Sequence, residues 1–199
     1  ESTGTLASPE YRTSNGGIWQ PGDVIQAAIG QSDNAFTPLQ LATYCATIAN
    51  NGTRLKTHLV KQVTNYNRDQ VISETEPEVV AQVDISEENL KTVQEAMKGV
   101  TQSGGTANSV FGDYGITIAA KTGTAENPGH SDNVTFIAYA PYDDPEIAVA
   151  VVLEYGSRGT YSMNVAKDIF DAYFYGKTVD ENGNLVMPEE TNSSSTANE

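Results

Sequence analysis

Three apolar segments in the C-terminal half of the chain constrain its fold more than any other feature. They are GITIAAKTG (residues 115–123), NVTFIAYAP (133–141) and EIAVAVVLEY (146–155), and each is rich in the β-branched, aromatic and small apolar residues of buried strands. The second and third are joined by YDDP (142–145), a turn sequence short enough for a β-hairpin. We therefore predict that the three segments form antiparallel strands of one sheet.

The third segment is apolar on both of its faces. Its core, IAVAVVL, does not alternate between apolar and polar residues, which predicts a central strand with helices or other structure covering each side of the sheet. One covering helix is expected from Tyr161 to Tyr175, closed by Gly176. Its predicted apolar face consists of Val165, Ile169, Ala172 and Tyr173.

Two further helices are marked by the residues at their N-termini. Thr37 and Pro38 have the order of an N-cap and a first helical residue, and apolar residues then recur at helical spacing until the NNG sequence at 50–52. Ser86 is the N-cap of the other helix, which the SGG sequence at 103–105 ends. The predicted stripes are Leu41, Ala42, Cys45, Ile48 and Ala49 in the first helix, and Leu90, Val93, Met97 and Val100 in the second.

The remaining segments fit loops, short strands and a tail. Residues before Gly30 show little periodicity and are interpreted as loop, while HLVKQVTN (58–65) and QVISET (70–75) fit short strands. A hydrophobic content of 38% is enough to fill a core. We predict an α/β protein of the α+β type, an antiparallel sheet covered by helices, with one domain over residues 1–176 and a partly disordered tail over 177–199.

Charge and side-chain counts argue against several functional classes. The net charge of −15 disfavours nucleic acid and anionic membrane surfaces as partners. Two histidines and one cysteine cannot supply a zinc site of recognisable spacing, and we expect no metal and no cofactor. Cys45 lies on the apolar face of a predicted helix, so a buried, inert thiol is favoured over a nucleophile.

The end of the first strand carries a run of candidate catalytic residues. Lys121, Thr122, Gly123 and Thr124 follow its apolar part directly. A buried strand that ends in a glycine-containing turn would explain them without any function. Acyl-transfer sites that hold a carboxylate, however, need a fixed cation, hydroxyl donors beside it and a glycine where a substrate backbone approaches closely. These four residues supply all three, and K-T-G is a named motif of serine acyl-transfer enzymes.

A resemblance to a known family extends well beyond this motif, from about residue 17 to residue 175. The chain resembles the C-terminal part of the transpeptidase domain of class B, monofunctional penicillin-binding proteins. The P-G-D, G-Q, T-P-L-Q and K-T-G-T-A elements together distinguish this family from serine β-lactamases. The segments that carry the resemblance are WQPGDVIQAAIGQ (19–31), TPLQLATYCATIANNGT (37–53), HLVKQV (58–63), GGTA (104–107), AAKTGTAE (119–126) and AYAPYDDPEIAVAVVLE (138–154). The implied fold is part of the penicillin-binding protein/serine β-lactamase-like fold.

The resemblance implies a peptidoglycan D,D-transpeptidase. In this family a serine attacks the penultimate carbonyl of a D-Ala-D-Ala stem peptide and passes the acyl group to an amine on a neighbouring strand, and β-lactams acylate the same serine. The resemblance makes Lys121 and Thr124 catalytic, the first through positive potential and proton transfer and the second through a backbone N–H in the oxyanion hole. It makes Thr122, Gly123 and Thr124 substrate-binding residues.

The chain departs from the family pattern at the nucleophile. The family's serine stands in S-x-x-K, and no serine of these 199 residues has a lysine three positions later. S-D-N occurs at 32–34 and 131–133, but the first lies in the segment that follows the family's S-x-N motif and the second follows K-T-G, so both are interpreted as loops. We expect the N-terminal portion of the domain, with the nucleophile and any membrane anchor, to precede Glu1. The isolated chain is expected to be soluble and inactive.

Alternatives to the transpeptidase stay open from the sequence. One is a non-catalytic peptide- or partner-binding module derived from the same domain, and another is a fragment of a β-lactamase or D,D-carboxypeptidase. The intact K-T-G-T favours the transpeptidase, since a module kept only for binding has no need of that lysine and those hydroxyls. The resemblance also implies a bacterial parent protein on the extracytoplasmic face of the cell membrane.

Overall fold

The computed structural model describes residues 2–187, which form a mixture of helices and antiparallel strands. The helices are α1 (Pro9–Ser14), α2 (Pro21–Ala28), α3 (Pro38–Ala49), α4 (Glu87–Gly99), α5 (Asn108–Phe111) and α6 (Gly159–Tyr175). The strands are β1 (Thr53–Leu55), β2 (Gln62–Thr64), β3 (Val71–Glu74), β4 (Val79–Gln82), β5 (Ala119–Ala125), β6 (Asn133–Ala140), β7 (Ile147–Leu153), β8 (Thr178–Val179) and β9 (Leu185–Val186).

A three-stranded antiparallel sheet in the order β5-β6-β7 forms the centre of the fold, and the three strands are those predicted. Thr122 lies opposite Phe136, which lies opposite Val151 on the next strand. The prediction that β7 is central is wrong for the residues that the structure describes, because β6 lies in the middle and β7 pairs with β6 alone. β7 is apolar on both faces because a helix covers each face, α3 on one side and α6 on the other.

Two apolar clusters hold the sheet between these helices. One cluster joins β6 and β7 to α5 and α6, and it includes Phe111, Phe136, Val149, Met163 and Phe170. The other joins the opposite face to α3 and α4, and it includes Cys45, Ile48, Leu90, Met97 and Tyr139. Burial raises the pKa of the Cys45 thiol to about 12, so the thiol stays protonated at neutral pH. A buried and inert Cys45 was the expectation from sequence.

Both predicted N-caps are present. Thr37 Oγ1 accepts a hydrogen bond from the Gln40 N–H at 3.1 Å, and Gln40 Oε1 accepts from the Thr37 N–H at 2.9 Å, which completes a capping box at the start of α3. Ser86 Oγ accepts from the Asn89 N–H at 3.2 Å at the start of α4. Val93 does not belong to the buried stripe of α4, since it is 39% exposed.

The predicted apolar face of α6 is not the face that packs on the sheet. Val165, Ile169 and Tyr173 are 42%, 39% and 51% exposed, and Ala172 is exposed as well. Both faces repeat at helical spacing, and the one that packs on the sheet carries Met163, Ala166 and Phe170. The buried residues of α6 are Ser162, Met163, Ala166, Phe170 and Asp171. The predicted end is correct, because Gly176 adopts the left-handed conformation with φ 65°.

The N-terminal residues are not a loop as predicted, because they form α1 and α2. Ser8 caps α1 with its side chain, and Asp23 Oδ2 accepts from the Gln20 N–H at 2.7 Å at the start of α2. A proline occupies the first position of each helix. Proline is favoured there because its missing N–H would have no helical partner. Proline is also common in turns, so the sequence alone does not distinguish a turn from the start of a helix here.

Small antiparallel pairs complete the structure. β2 and β3 lie within the two segments predicted to be short strands, and they pair with each other, whereas β1 and β4, which also pair, were not predicted. β8 and β9 form a hairpin inside the predicted tail. The rest of that tail, residues 188–199, lies outside the described residues. None of the helices within residues 2–187 combines the length and hydropathy needed to cross a membrane.

Candidate active site

The K-T-G residues lie where β5 leaves the core. Ala119 and Ala120 are fully buried, but Lys121 and Thr124 are exposed. In the described part of the chain β5 pairs only with β6, so its other edge is open. The four-residue run therefore lies at a solvent-accessible sheet edge.

The backbone of β5 presents alternate residues to this open edge. Lys121 Nζ donates to the carbonyl of Thr122 at 2.6 Å, which shows that this carbonyl points away from β6. In an antiparallel pair, a residue directs both its N–H and its C=O toward the same side, and the side alternates along the strand. The N–H of Thr124 therefore also faces the open edge. An extended peptide can add to β5 there through main-chain hydrogen bonds.

The side chains of the run divide between the two faces of the sheet. Thr122 and Thr124 lie on the same face of the sheet as Ala120, the face that packs against α5 and α6. Lys121 lies on the same face as Ala119, the face that packs against α3 and α4. This alternation follows from the period of two in a strand. The lysine and the threonines thus approach a ligand at the edge from opposite sides.

Thr106 contacts the K-T-G run although the sequence did not single it out as a site residue. Its hydroxyl oxygen lies 3.0 Å from that of Thr122. Thr106 belongs to the turn between α4 and α5, where a Cβ on Gly105 would lie 2.2 Å from the carbonyl oxygen of Val100. Glycine is therefore required for this turn to pack. The GGTA segment (104–107), part of the family resemblance, is the sequence signal that could have identified this position.

Gly123 is not required by the packing of the sheet. A Cβ built on it would lie 3.4 Å from Thr135 Cβ and 3.8 Å from the Thr135 carbonyl oxygen, which are ordinary contacts. A side chain at position 123 would therefore not clash inside the protein, and the glycine instead leaves space beside the strand for an approaching ligand.

The first S-D-N sequence belongs to the N-terminal part of the fold and not to the K-T-G edge. Asn34 Oδ1 accepts from the Ala7 N–H at 2.9 Å, and Asn34 Nδ2 donates to the carbonyls of Ala27 and Gln31 at 3.0 Å. The neighbouring Asp33 pairs with Arg12. These contacts tie α1 and α2 to the segment before α3, as expected for loop residues.

The second S-D-N sequence ends the loop between β5 and β6, but its Asn133 is not a loop residue as predicted, because it is the first residue of β6 and lies opposite Ala125. Asn133 Oδ1 accepts from the Tyr155 N–H at 2.9 Å, and the Asp132 carbonyl accepts from the Ser157 N–H at 3.1 Å. The exposed His130 ring lies 5.0 Å from the Tyr155 ring, centroid to centroid. The polar loop between β5 and β6 is therefore fastened to the turn before α6, beside the end of the K-T-G strand.

Residues 4–174 match the family described as the penicillin binding protein transpeptidase domain. The chain belongs to this family. The match covers the sheet, its helices on both faces and the K-T-G edge, and it agrees with the resemblance in the sequence.

Curated relatives of the chain are penicillin-binding proteins. It is 37% identical over 172 residues to penicillin-binding protein 2A of Bacillus subtilis, covering 77% of this chain and 24% of the relative. It is 30% identical over 187 residues to the peptidoglycan D,D-transpeptidase MrdA of Acinetobacter baumannii, covering 86% of this chain and 27% of the relative. The chain thus spans about a quarter of the length of the relatives it matches.

Solved penicillin-binding proteins share the fold. The Pseudomonas aeruginosa PBP2 in complex with WCK 5153 matches 94% of this chain and 40% of its own, with 33% identity and a TM-score of 0.70. The penicillin G acyl-enzyme complex of penicillin-binding protein A from Mycobacterium tuberculosis matches 85% of this chain and 40% of its own, with 28% identity and a TM-score of 0.65. The predicted fold class, an antiparallel sheet covered by helices as in penicillin-binding proteins, is confirmed.

Proposed function

We propose that this chain is the K-T-G portion of a peptidoglycan D,D-transpeptidase that cross-links stem peptides by serine acyl transfer and is acylated by β-lactams. The observation that carries the proposal is the open edge of β5, where a lysine, two threonines and an outward backbone N–H converge. Membership of the transpeptidase family supports it. So does the similarity to MrdA, which is named a peptidoglycan D,D-transpeptidase.

Each residue of the run has a distinct part in the proposed reaction. Lys121 supplies positive potential for the terminal carboxylate of D-Ala-D-Ala and assists proton transfer. The hydroxyls of Thr122 and Thr124 donate to that carboxylate, or to the equivalent group of a β-lactam. The outward N–H of Thr124 donates to the oxyanion, a type of contact whose loss costs roughly 3–4 kcal/mol of transition-state stabilisation in other acyl-transfer enzymes.

The attacking serine is proposed to come from the N-terminal portion of the domain, outside these 199 residues. That portion is then the first partner of this chain, and the stem peptide or β-lactam binds between the two. By the same proposal the parent protein works on the extracytoplasmic face of the bacterial membrane, held there by an anchor that precedes this chain.

Labelled benzylpenicillin tests this assignment directly. We expect no stable covalent adduct on the 199-residue chain alone, and an adduct when the upstream portion of the domain is supplied with it. Mass spectrometry of the labelled peptide identifies the serine. An adduct on the isolated chain would overturn the assignment of the nucleophile. Failure of the complete domain to form an adduct, with stem-peptide binding retained, would favour the non-catalytic binding module.

Replacing Gly123 with alanine separates a role in binding from a role in folding. Because a Cβ at this position makes only ordinary contacts with Thr135, the melting temperature of the domain is expected to change little. The added methyl group lies on the strand that the substrate approaches, where it hinders close contact. We expect acylation by benzylpenicillin to slow by at least about tenfold, which corresponds to about 1.4 kcal/mol of activation free energy. An unchanged acylation rate would contradict close approach at this glycine.

A further inference from the structure

The contact between Thr106 and Thr122 joins the K-T-G strand to a turn outside it. The two hydroxyl oxygens are 3.0 Å apart, a distance at which one hydroxyl donates to the other. Thr106 is exposed and Thr122 is half-buried, so both can be reached from the open edge of β5. Within residues 2–187, the hydroxyl of Thr122 is the hydrogen-bond partner of the Thr106 hydroxyl.

The turn that carries Thr106 is held rigidly. The N–H of Ala107 donates to the carbonyl of Val100 at 2.9 Å, and the N–H of Gly105 donates to the carbonyl of Gln102 at 2.8 Å. Ala107 is fully buried in the cluster beneath α5 and α6. Thr106 thus stands between two fixed residues, and its hydroxyl has a defined position relative to β5.

Hydrogen-bond chemistry fixes the direction of the contact once a carboxylate is bound. An ionised carboxylate only accepts hydrogen bonds, so Thr122 must donate its single hydroxyl proton to it. The oxygen of Thr122 is then left as an acceptor toward Thr106, whose hydroxyl must be the donor. The order of donation is Thr106 to Thr122 to carboxylate, and donors in such a chain strengthen one another.

We propose that Thr106 is a positioning residue that donates to Thr122 and thereby directs the Thr122 proton onto the carboxylate of the substrate or β-lactam. The proposal rests on the proposed function, because it requires a carboxylate ligand at this edge. Without the Thr106 hydroxyl, the Thr122 proton has no fixed direction. Binding is weakened as a result, while the reacting serine and carbonyl are not touched.

The expected signature is a change in binding and not in the chemical step. In the complete transpeptidase domain, Thr106→Val should raise the benzylpenicillin concentration for half-maximal acylation by about three- to tenfold, as expected for one hydrogen bond. The limiting acylation rate should stay within about twofold, because the interaction exists before and during the reaction alike. Thr106→Ser retains the hydroxyl and should behave like the unmodified domain.

A double-mutant cycle decides whether Thr106 acts through Thr122. In the Thr122→Val background, adding Thr106→Val should cause no further loss, because the residue through which it acts is gone. Thr92→Val is the matched control, since this exposed threonine donates to the Glu88 carbonyl within α4 and not to the K-T-G strand, and it should leave acylation unchanged.

The outcomes separate this inference from the function on which it rests. The inference alone would be overturned if the unmodified domain and Thr106→Val had the same benzylpenicillin concentration for half-maximal acylation. Additive losses in the double mutant would also overturn it, as would a Thr106→Ser variant that binds as weakly as Thr106→Val. A complete, unmodified domain that forms no penicillin adduct would overturn the proposed function, and the inference with it.

Discussion

Replacing Lys121 with alanine in the complete domain is expected to lower the second-order rate constant for acylation by benzylpenicillin by about 10²–10⁴-fold, the range typical for loss of a group that assists proton transfer. Lys121 is exposed at the open edge of β5, and its Nζ contacts the carbonyl of Thr122 at 2.6 Å. The ammonium group therefore lies on the edge that receives the ligand.

A comparison with arginine distinguishes the two roles proposed for this lysine. Lys121→Arg keeps a positive charge for the carboxylate, but a guanidinium does not release a proton at neutral pH. We expect its limiting acylation rate to be nearly as low as that of Lys121→Ala, while its affinity for benzylpenicillin is better retained. If both variants acylated at the unmodified rate, Lys121 would have no catalytic role.

The matched control for both variants is another lysine. Lys91→Ala removes an exposed lysine from α4, outside the K-T-G strand, and changes the net charge by the same amount. It should acylate at the unmodified rate. Equal losses in Lys91→Ala and Lys121→Ala would indicate an effect of overall charge and would contradict a specific role for Lys121.

Local features of this fold could be predicted because short stretches of sequence determine them. The caps at Thr37 and Ser86 depend on residues only three positions away. Likewise, the three strands of the sheet are recognisable as continuous apolar runs with turn residues between two of them. The K-T-G run could be located for the same reason, since all of its members lie in one strand.

Features that depend on packing could not be predicted. α6 carries two apolar stripes at helical spacing, and only contact with the sheet shows that Phe170 is buried while Ile169 is exposed. The central position of β6 also depends on packing, because an apolar run predicts a covered strand but does not show which strands pair with it. The continuous apolar character of β7 is explained by the two helices that cover its faces and does not require a central position in the sheet.

The candidate site shows the same division between local and distant residues. Thr122 and Thr124 were predicted from one motif, but Thr106 lies 16 positions before Thr122 and reaches it only through the turn after α4. No spacing rule joins these positions. The direction of the Thr124 N–H likewise follows from the pairing of β5 with β6 and the contact of Lys121 with the outward carbonyl.

Replacing Asp171 with alanine is expected to destabilise the folded domain by about 3 kcal/mol, the lower end for breaking a buried ion pair. Its side chain is 3% exposed, and its Oδ2 lies 2.7 Å from Nζ of both Lys167 and Lys177. Tyr114 donates its hydroxyl to Asp171 Oδ1 at 2.8 Å. The carboxylate thus joins α6 to the segment after α5 and to the residues that lead into β8.

The loss should be visible as a lower melting temperature. At about 2–4 °C per kcal/mol for a domain of this size, Asp171→Ala should melt about 6–12 °C below the unmodified protein. Asp168→Ala is the matched control, because this aspartate is exposed on the same helix and should change the melting temperature by less than about 2 °C. Equal effects at the two positions would show that the buried contacts contribute nothing specific.

The contribution of Asp171 should also depend on pH. Burial by itself raises the pKa of this carboxyl, but hydrogen bonds from Lys167, Lys177 and Tyr114 outweigh burial and hold the pKa below its ordinary value of 3.8. A group whose pKa is lowered by folding stabilises the protein above its unfolded pKa, and this stability is lost as the pH falls through the folded pKa. The stabilisation is therefore complete near pH 6 and decreases below about pH 4.

Urea unfolding of the unmodified domain and of Asp171→Asn as a function of pH isolates this contribution. The asparagine keeps an oxygen acceptor for Tyr114 but carries no charge, so the difference in free energy of unfolding should be largest from pH 5 to 7. It should shrink as the pH is lowered from 4 to 3, since the unfolded chain then takes up a proton at Asp171 more readily than the folded protein, in which the pKa of this carboxyl is lowered. Taking the difference cancels the titration of the other acidic residues, which both proteins share. A difference that stays constant from pH 7 to pH 3 would contradict a charged Asp171 held by the two lysines.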